Sequence, residues 1–172
     1  IYEESASLYA ERRAQRKEIV AARHAGEKQW AEANPELAAK LQSYIDGRLP
    51  ELDYSKVALK ANMATRSASA SVLSLLAECV DNMVVSSADL ANSDKTDGFL
   101  KKTRAMVHGD LSGKFLHAGV AEMTMAAIMN GIVLHGGMHA ACGTFFVFSD
   151  YIKPVLRMSA LMELPVKFIF TH

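Results

Sequence analysis

The chain has 172 residues, with 19 Lys+Arg balanced by 19 Asp+Glu; half of the residues are hydrophobic and 22% are charged. That composition excludes a disordered or collagen-like chain, and zero net charge removes the long-range attraction that a nucleic-acid binder uses. The length supports one domain of ordinary size, whose core needs neither metal nor disulfide staples. Cys79 and Cys142 form no metal-type cluster and no disulfide framework; they fit a reducing cytosol and read as buried fillers. With no basic-then-apolar leader, secretion is not signalled and the cytoplasm is the expected location. The chain opens on Ile1 and stops at His172 directly after an apolar run, so it reads as a piece of something longer.

Residues 1–50 differ from the rest. From Glu3 to Gln42 the text is rich in Ala, Glu, Arg and Lys, and Tyr2, Leu8, Tyr9, Ile19 and Val20 make only a weak apolar stripe. That pattern predicts a solvated helical arm, with Trp30 packing inward. Asn34-Pro35 predicts a new helix with Pro in its first turn, and Gly47 to Pro50 ends it. Residues 51–172 then alternate. Met63 to Ser67 precedes a helical stretch with Ala70, Leu73, Ala77 and Val80 on one face. Met83 to Ser87 is a short run of buried-strand type, and the polar, glycine-bearing stretch 94–114 predicts a long loop. Lys114 to His117 is a strand candidate, Glu122 to Leu134 a helix, Asp150 to Met162 a helix and Val166 to Phe170 a strand. The apolar stretch from Gly119 to Phe148 contains Glu122, Asn130, His135 and His139, with Gly136-Gly137 in its middle. A charge and a glycine pair there argue against a membrane span and for a buried helix, turn and strand. Helices alternating with short buried strands predict an α/β fold, an open, mostly parallel sheet with helices on both faces. Ligands in such folds sit beyond the carboxyl ends of the strands.

Glu122 opens a helix whose next dozen residues carry no charge. A helix N-terminus favours a carboxylate, whereas apolar neighbours strip its solvation and favour its holding or sharing a proton. Position alone favours a plain N-terminal cap; its downstream company favours a site. Phe145, Phe148 and Tyr151 recur at spacing three, where a strand passes into a helix, and can form an aromatic wall for a flat heterocycle. By itself such a stripe is more often core. Arg66 and Ser93 each follow a local break and His172 follows a strand; together they can hold a phosphate or polyol oxygens, although each alone reads as surface or cap. Asp89, just past a strand, is equally ambiguous. There is no P-loop and no strand-to-helix GxGxxG, and His24, His108, His135 and His139 have no partner at ligand spacing.

The words Met63 to Ser69, Ser87-Ala-Asp-Leu90, Phe115 to Val120, Glu122, Met125 to Gly131, Leu134 to Gly137, Gly143 to Tyr151, Leu161 to Pro165 and Thr171-His172 resemble the transketolase family, in its order and spacing, over roughly the last two-thirds of the chain. The resemblance implies the middle, pyrimidine-binding domain, with residues 1–50 as the linker from a preceding domain. It implies an enzyme that uses thiamine diphosphate to move a two-carbon ketol unit between sugar phosphates in the pentose phosphate pathway. Glu122 falls on the family's cofactor-activating glutamate, which hydrogen-bonds the aminopyrimidine ring nitrogen and so promotes the thiazolium ylid. Phe145, Phe148 and Tyr151 match the pyrimidine-stacking aromatics, and Asp89 matches a residue near the cofactor at the subunit interface. Arg66, Ser93 and His172 match residues that grip the sugar phosphate, with His172 also counted as catalytic.

The chain departs from the family around the glutamate, with Ala121 in place of the usual Arg and Met123-Thr124 in place of an aromatic or His followed by Gly; cofactor contact is expected to survive. No Gly-Asp-Gly…Asn motif is present, since Gly109-Asp110 is followed by Leu111, so no metal ligand is expected here. The diphosphate and its divalent metal, Mg or Ca, are assigned to a preceding domain. The family builds each site between two subunits, which implies a homodimer and an isolated chain without turnover. Two other readings stand beside this one. They are a different thiamine diphosphate enzyme, such as a deoxyxylulose phosphate synthase or a ketoacid dehydrogenase component, and a non-catalytic subunit that kept the fold.

Overall fold

The computed structural model describes residues 2–172, which divide into two compact units. The first unit, reaching to Gln42, is helical. Helix α1, Glu3–Ala33, begins with Glu3 and Glu4 in its first turn and buries none of its residues. Acidic side chains at that end oppose the positive end of the helix dipole, which with interspersed charges suits a solvated helix. Trp30, expected to pack inward, is instead 42% exposed, because this helix has no buried face for it to join. Helix α2, Pro35–Ile45, starts on its proline as the sequence predicts.

The second unit, Ser43–His172, is an open sheet of four parallel strands in the order β2-β1-β3-β4. Helix α3, Thr65–Cys79, leads into β1, Met83–Ser87, and the helix begins within the words expected only to precede it. All five residues of β1 are buried, as a central strand covered on both faces requires. Beyond β1 come two single turns, α4, Ala91–Asp94, and α5, Asp97–Leu100, then β2, Phe115–His117. The chain continues through α6, Glu122–His135, β3, His139–Phe145, a 3₁₀ turn at Phe146–Phe148, α7, Ser149–Leu161, and β4, Lys167–Thr171. Gly136 and Gly137, at φ 87° and 78°, make the turn between α6 and β3 at angles that a Cβ would oppose.

The expected loop 94–114 is thus partly ordered into α5. Gly98 is the reason: a Cβ there would lie 2.5 Å from the Ala70 carbonyl oxygen, so its absence lets this turn lie flat on α3. Phe99 is consequently drawn into the core at 0% exposure.

Two apolar clusters sandwich the sheet. Leu73, Ala77 and Val80 join Val85, Phe99 and Phe115 on one face. Met125 and Met129 of α6 meet Val84, Ala140 and Cys142 on the other. Burial of each such large side chain contributes roughly 1.5–3 kcal/mol. Cys142 is a buried filler as expected, but Cys79 is exposed, standing at the end of α3 beside exposed Glu78. No helix among the described residues is long and apolar enough to cross a membrane.

Candidate functional site

The chain reverses its direction of travel along the sheet between β1 and β3: β1 connects outward to β2, whereas β3 connects outward to β4. Such a reversal leaves a crevice beyond the carboxyl ends of the two strands. A cleft of about 590 Å³ lies there, lined by Asp89 and its neighbours after β1, by residues 120–124 after β2, and by Phe148 and Tyr151 after β3. The sequence placed Glu122, Asp89, Phe148 and Tyr151 at segment ends; the fold brings all four to this one cleft.

Glu122 stands in the first turn of α6 and is only 7% exposed. Helix geometry explains the position, since Ala121 caps the helix without a side-chain bond and the next turn, Met125 and Ala126, is fully buried. No hydrogen bond or ion pair from another described side chain reaches the Glu122 carboxyl. The carboxyl opens on the cleft, where a polar ligand atom can meet it. Asp89 lies across the cleft in the left-handed region, at φ 62°, which costs a non-glycine residue about 1–2 kcal/mol.

The aromatics form a ladder. Phe145 and Phe148 stack with ring centroids 5.8 Å apart and planes 11° from parallel, and Phe148 and Tyr151 stack at 6.0 Å and 28°. Phe148 and Tyr151 line the cleft, while Phe145, at the end of β3, turns to the His172 ring at 4.3 Å. The three rings therefore do not share one role: two present a wall and the third backs it.

A second hollow of about 460 Å³ lies beyond β4 and the start of α3, lined by Arg66, Ser69, Thr171 and His172 among others. Arg66 Nη1 donates to His172 Nε2 and, at 3.3 Å, to the Ser93 carbonyl. The other ring nitrogen of His172, Nδ1, lies 3.1 Å from Thr171 Oγ1. Arg66, His172 and Ser93 thus meet, although Ser93 contributes its backbone and is not a lining residue.

Sequence reasoning missed the support beneath both hollows. Asp94 and Ser87 are fully buried, and Ser87 Oγ donates to Asp94 Oδ2 at 2.6 Å. Thr96 donates twice to Asp94 Oδ1, from its amide at 2.9 Å and its hydroxyl at 2.7 Å. Nothing local signals this knot, because its carboxyl lies inside a polar segment that reads as loop. Among the described residues no group of three His, Cys, Asp or Glu side chains is placed to hold a metal ion.

Geometry of this kind defines one class: an open parallel α/β domain whose switch-point cleft sets a carboxyl in the first turn of a helix beside an aromatic wall. The family model described as Transketolase, pyrimidine binding domain, matches residues 61–172, and the chain belongs to this family. The transketolase of Halalkalibacterium halodurans is 43% identical over 148 residues, 84% of this chain and 22% of that protein. The transketolase of Bacillus subtilis is 42% identical over 166 residues, 89% of this chain and 25% of that protein. Among solved structures, Pichia stipitis transketolase in complex with sedoheptulose 7-phosphate superposes with a TM-score of 0.85 at 34% identity, covering 100% of this chain and 27% of that one. Transketolase from Leishmania mexicana shares the fold, with a TM-score of 0.88 at 24% identity, covering 100% of this chain and 26% of that one. The chain therefore spans about a quarter of the length of these relatives.

Proposed function

We propose that this chain is the pyrimidine-holding portion of a thiamine diphosphate-dependent transketolase that moves a two-carbon ketol unit between sugar phosphates. The observation that carries the reading is Glu122, only 7% exposed in the first turn of α6, lining one cleft with the stacked rings of Phe148 and Tyr151. The residues present fit the cofactor: a ring nitrogen satisfies the carboxyl, and a flat heterocycle covers the aromatic wall. Bound thiamine diphosphate supplies a carbon nucleophile able to take up the ketol unit. Glu122 hydrogen-bonds the ring nitrogen from the first turn of α6. Phe148 and Tyr151 orient the ring by stacking, with Phe145 behind them, and Asp89 borders the same cleft. Arg66 and His172, steadied by the Ser93 carbonyl, bind the phosphate or hydroxyls of the sugar.

On this reading the diphosphate and its divalent metal are held outside the chain, in a preceding domain to which residues 1–50 connect. The site is completed between two subunits of a homodimer, and the isolated chain does not turn over. The test is Glu122→Gln in the full-length protein, with hydrogen–deuterium exchange at the thiazolium carbon followed by NMR. Exchange should fall by several hundred-fold or more; exchange at the wild-type rate would refute the assignment. An assay with xylulose 5-phosphate and ribose 5-phosphate, run against one with pyruvate, separates transketolase from other thiamine diphosphate enzymes.

A further inference from the structure

The two hollows share one anchor. Ser87 Oγ accepts from the Leu90 amide at 3.2 Å while donating to Asp94, so it spans the Ala88-Asp89 step that puts Asp89 in the left-handed region. The Leu90 carbonyl in turn accepts from the Ser93 and Asp94 amides at 2.7 and 2.8 Å. Leu90 is thereby held through both its backbone groups, and Asp89 cannot relax without breaking a bond to buried Ser87. Ser93, the residue before Asp94, is the one whose carbonyl holds Arg66. The three bonds to the Asp94 carboxyl are 2.6–2.9 Å long and buried, where a hydrogen bond resists opening most strongly, whereas the Leu90 amide bond is longer and part-buried.

Packing keeps the knot in place. Gly143 of β3 pairs in register with Ser87, and a Cβ on it would meet Thr96 Cγ2 at 2.5 Å and Asp94 Oδ2 at 2.9 Å. The carboxyl therefore sits in a notch that only glycine leaves open. Burial, followed by the nearby charge of Asp94, pushes the Cys142 thiol up to about 12.

The geometry assigns Asp94 and Ser87 as positioning residues, a buried pair that fixes Asp89 in the cofactor cleft and Arg66 in the sugar-phosphate hollow at the same time. The assignment rests on the functional reading above only for what the two hollows bind. The test uses the full-length protein with Ser87→Ala, Asp94→Ala and Asp94→Asn. In cofactor-free protein, amide hydrogen exchange at Leu90 should quicken at least tenfold in Ser87→Ala and Asp94→Ala. The Kd for thiamine diphosphate and the KM for the sugar phosphate should both rise about tenfold, well below the unfolding temperature. Asp94→Asn should recover part of each loss relative to Asp94→Ala, because its oxygen still accepts from Thr96 and its amide can donate to Ser87 Oγ, although the Ser87 hydroxyl proton loses its acceptor. A lowered Tm with Leu90 exchange, Kd and KM unchanged would make the pair merely structural and overturn the inference. Should Asp94→Ala fail to fold, Ser87→Ala, which removes one hydroxyl, decides the matter. Should wild type bind no thiamine diphosphate, the functional reading falls, and Leu90 exchange alone sustains or overturns the positioning role.

Discussion

Phe145 stands between one lining residue of each hollow, its ring centroid 4.3 Å from that of His172 and 5.8 Å from that of Phe148. A side chain in that position transmits a shift in either wall to the other, because packed rings have few alternative arrangements. Phe145→Leu keeps an apolar group there but removes both ring contacts. It should raise the KM for sugar phosphate and the Kd for thiamine diphosphate together, each by roughly three- to tenfold, at a stability cost of about 1 kcal/mol. Titration calorimetry and steady-state kinetics on the full-length protein check this; a change in only one constant would show the hollows to be uncoupled.

Phe148 and Tyr151 differ from Phe145 in facing the cleft, so their loss should act chiefly on the cofactor. Removing a stacked aromatic from under a heterocycle weakens binding by about 1–3 kcal/mol. Phe148→Ala should therefore weaken thiamine diphosphate binding by roughly tenfold or more, with Tyr151→Ala the milder change because that ring is already 60% exposed. Equal losses from both would contradict the difference in burial.

Glu122 predicts a trade between stability and chemistry. A residue only 7% exposed gives up part of its hydration, which the positive end of α6 offsets by about 0.3–1 kcal/mol. Glu122→Gln should leave the cofactor-free protein as stable or up to about 1 kcal/mol more stable, even as proton exchange on the cofactor is lost. Denaturant unfolding without cofactor reads this directly. A loss of more than 1 kcal/mol would mean that the carboxyl has a structural partner.

The parallel architecture was legible in the sequence because its strands are short apolar runs separated by helical periods, and the site residues fell at the ends of those runs. Met83 to Ser87 and Glu122 to Leu134 carried the message most directly, matching β1 and α6 almost to the residue. What the sequence concealed depends on contacts distant along the chain. Asp94 reads as one more loop acid until Gly143, 49 positions later, is seen to leave room for it. Trp30 misleads in the opposite direction, because a large apolar side chain implies burial only where some other surface receives it. Phe145 was grouped with Phe148 and Tyr151 by spacing three, which is right for the stack but cannot reveal that the end of β3 turns the first ring toward His172.

The His139 imidazole, at the start of β3, is held below its ordinary value of 6.5 by burial first and by the Lys167 charge second. Its Nε2 is buried without a hydrogen-bond partner, in keeping with a neutral ring. Unfolded chain therefore takes up this proton more readily than folded chain, and stability falls as pH drops below 6.5 until the folded-state value is passed. His139→Gln, which does not titrate, should flatten the loss that begins as pH falls below 6.5 relative to wild type. Urea unfolding across that range checks the slope; an unchanged slope would assign the acid sensitivity to other groups.

Gly143→Ala gives the strongest stability prediction. The new Cβ would press on two side chains, Thr96 and Asp94, that are fully buried and bonded to each other, so neither can swing away. Overpacking of this kind costs about 1–3 kcal/mol, and forcing the carboxyl from its donors adds to that. We expect the variant to lose at least 2 kcal/mol while a control such as Gly131→Ala, where a Cβ meets nothing within 4 Å, is neutral or slightly stabilising on a helix. Thermal unfolding of both variants in the full-length protein measures the difference. Equal stability in the two would show that the notch in β3 yields, and that the buried carboxyl is not held as tightly as its bond lengths imply.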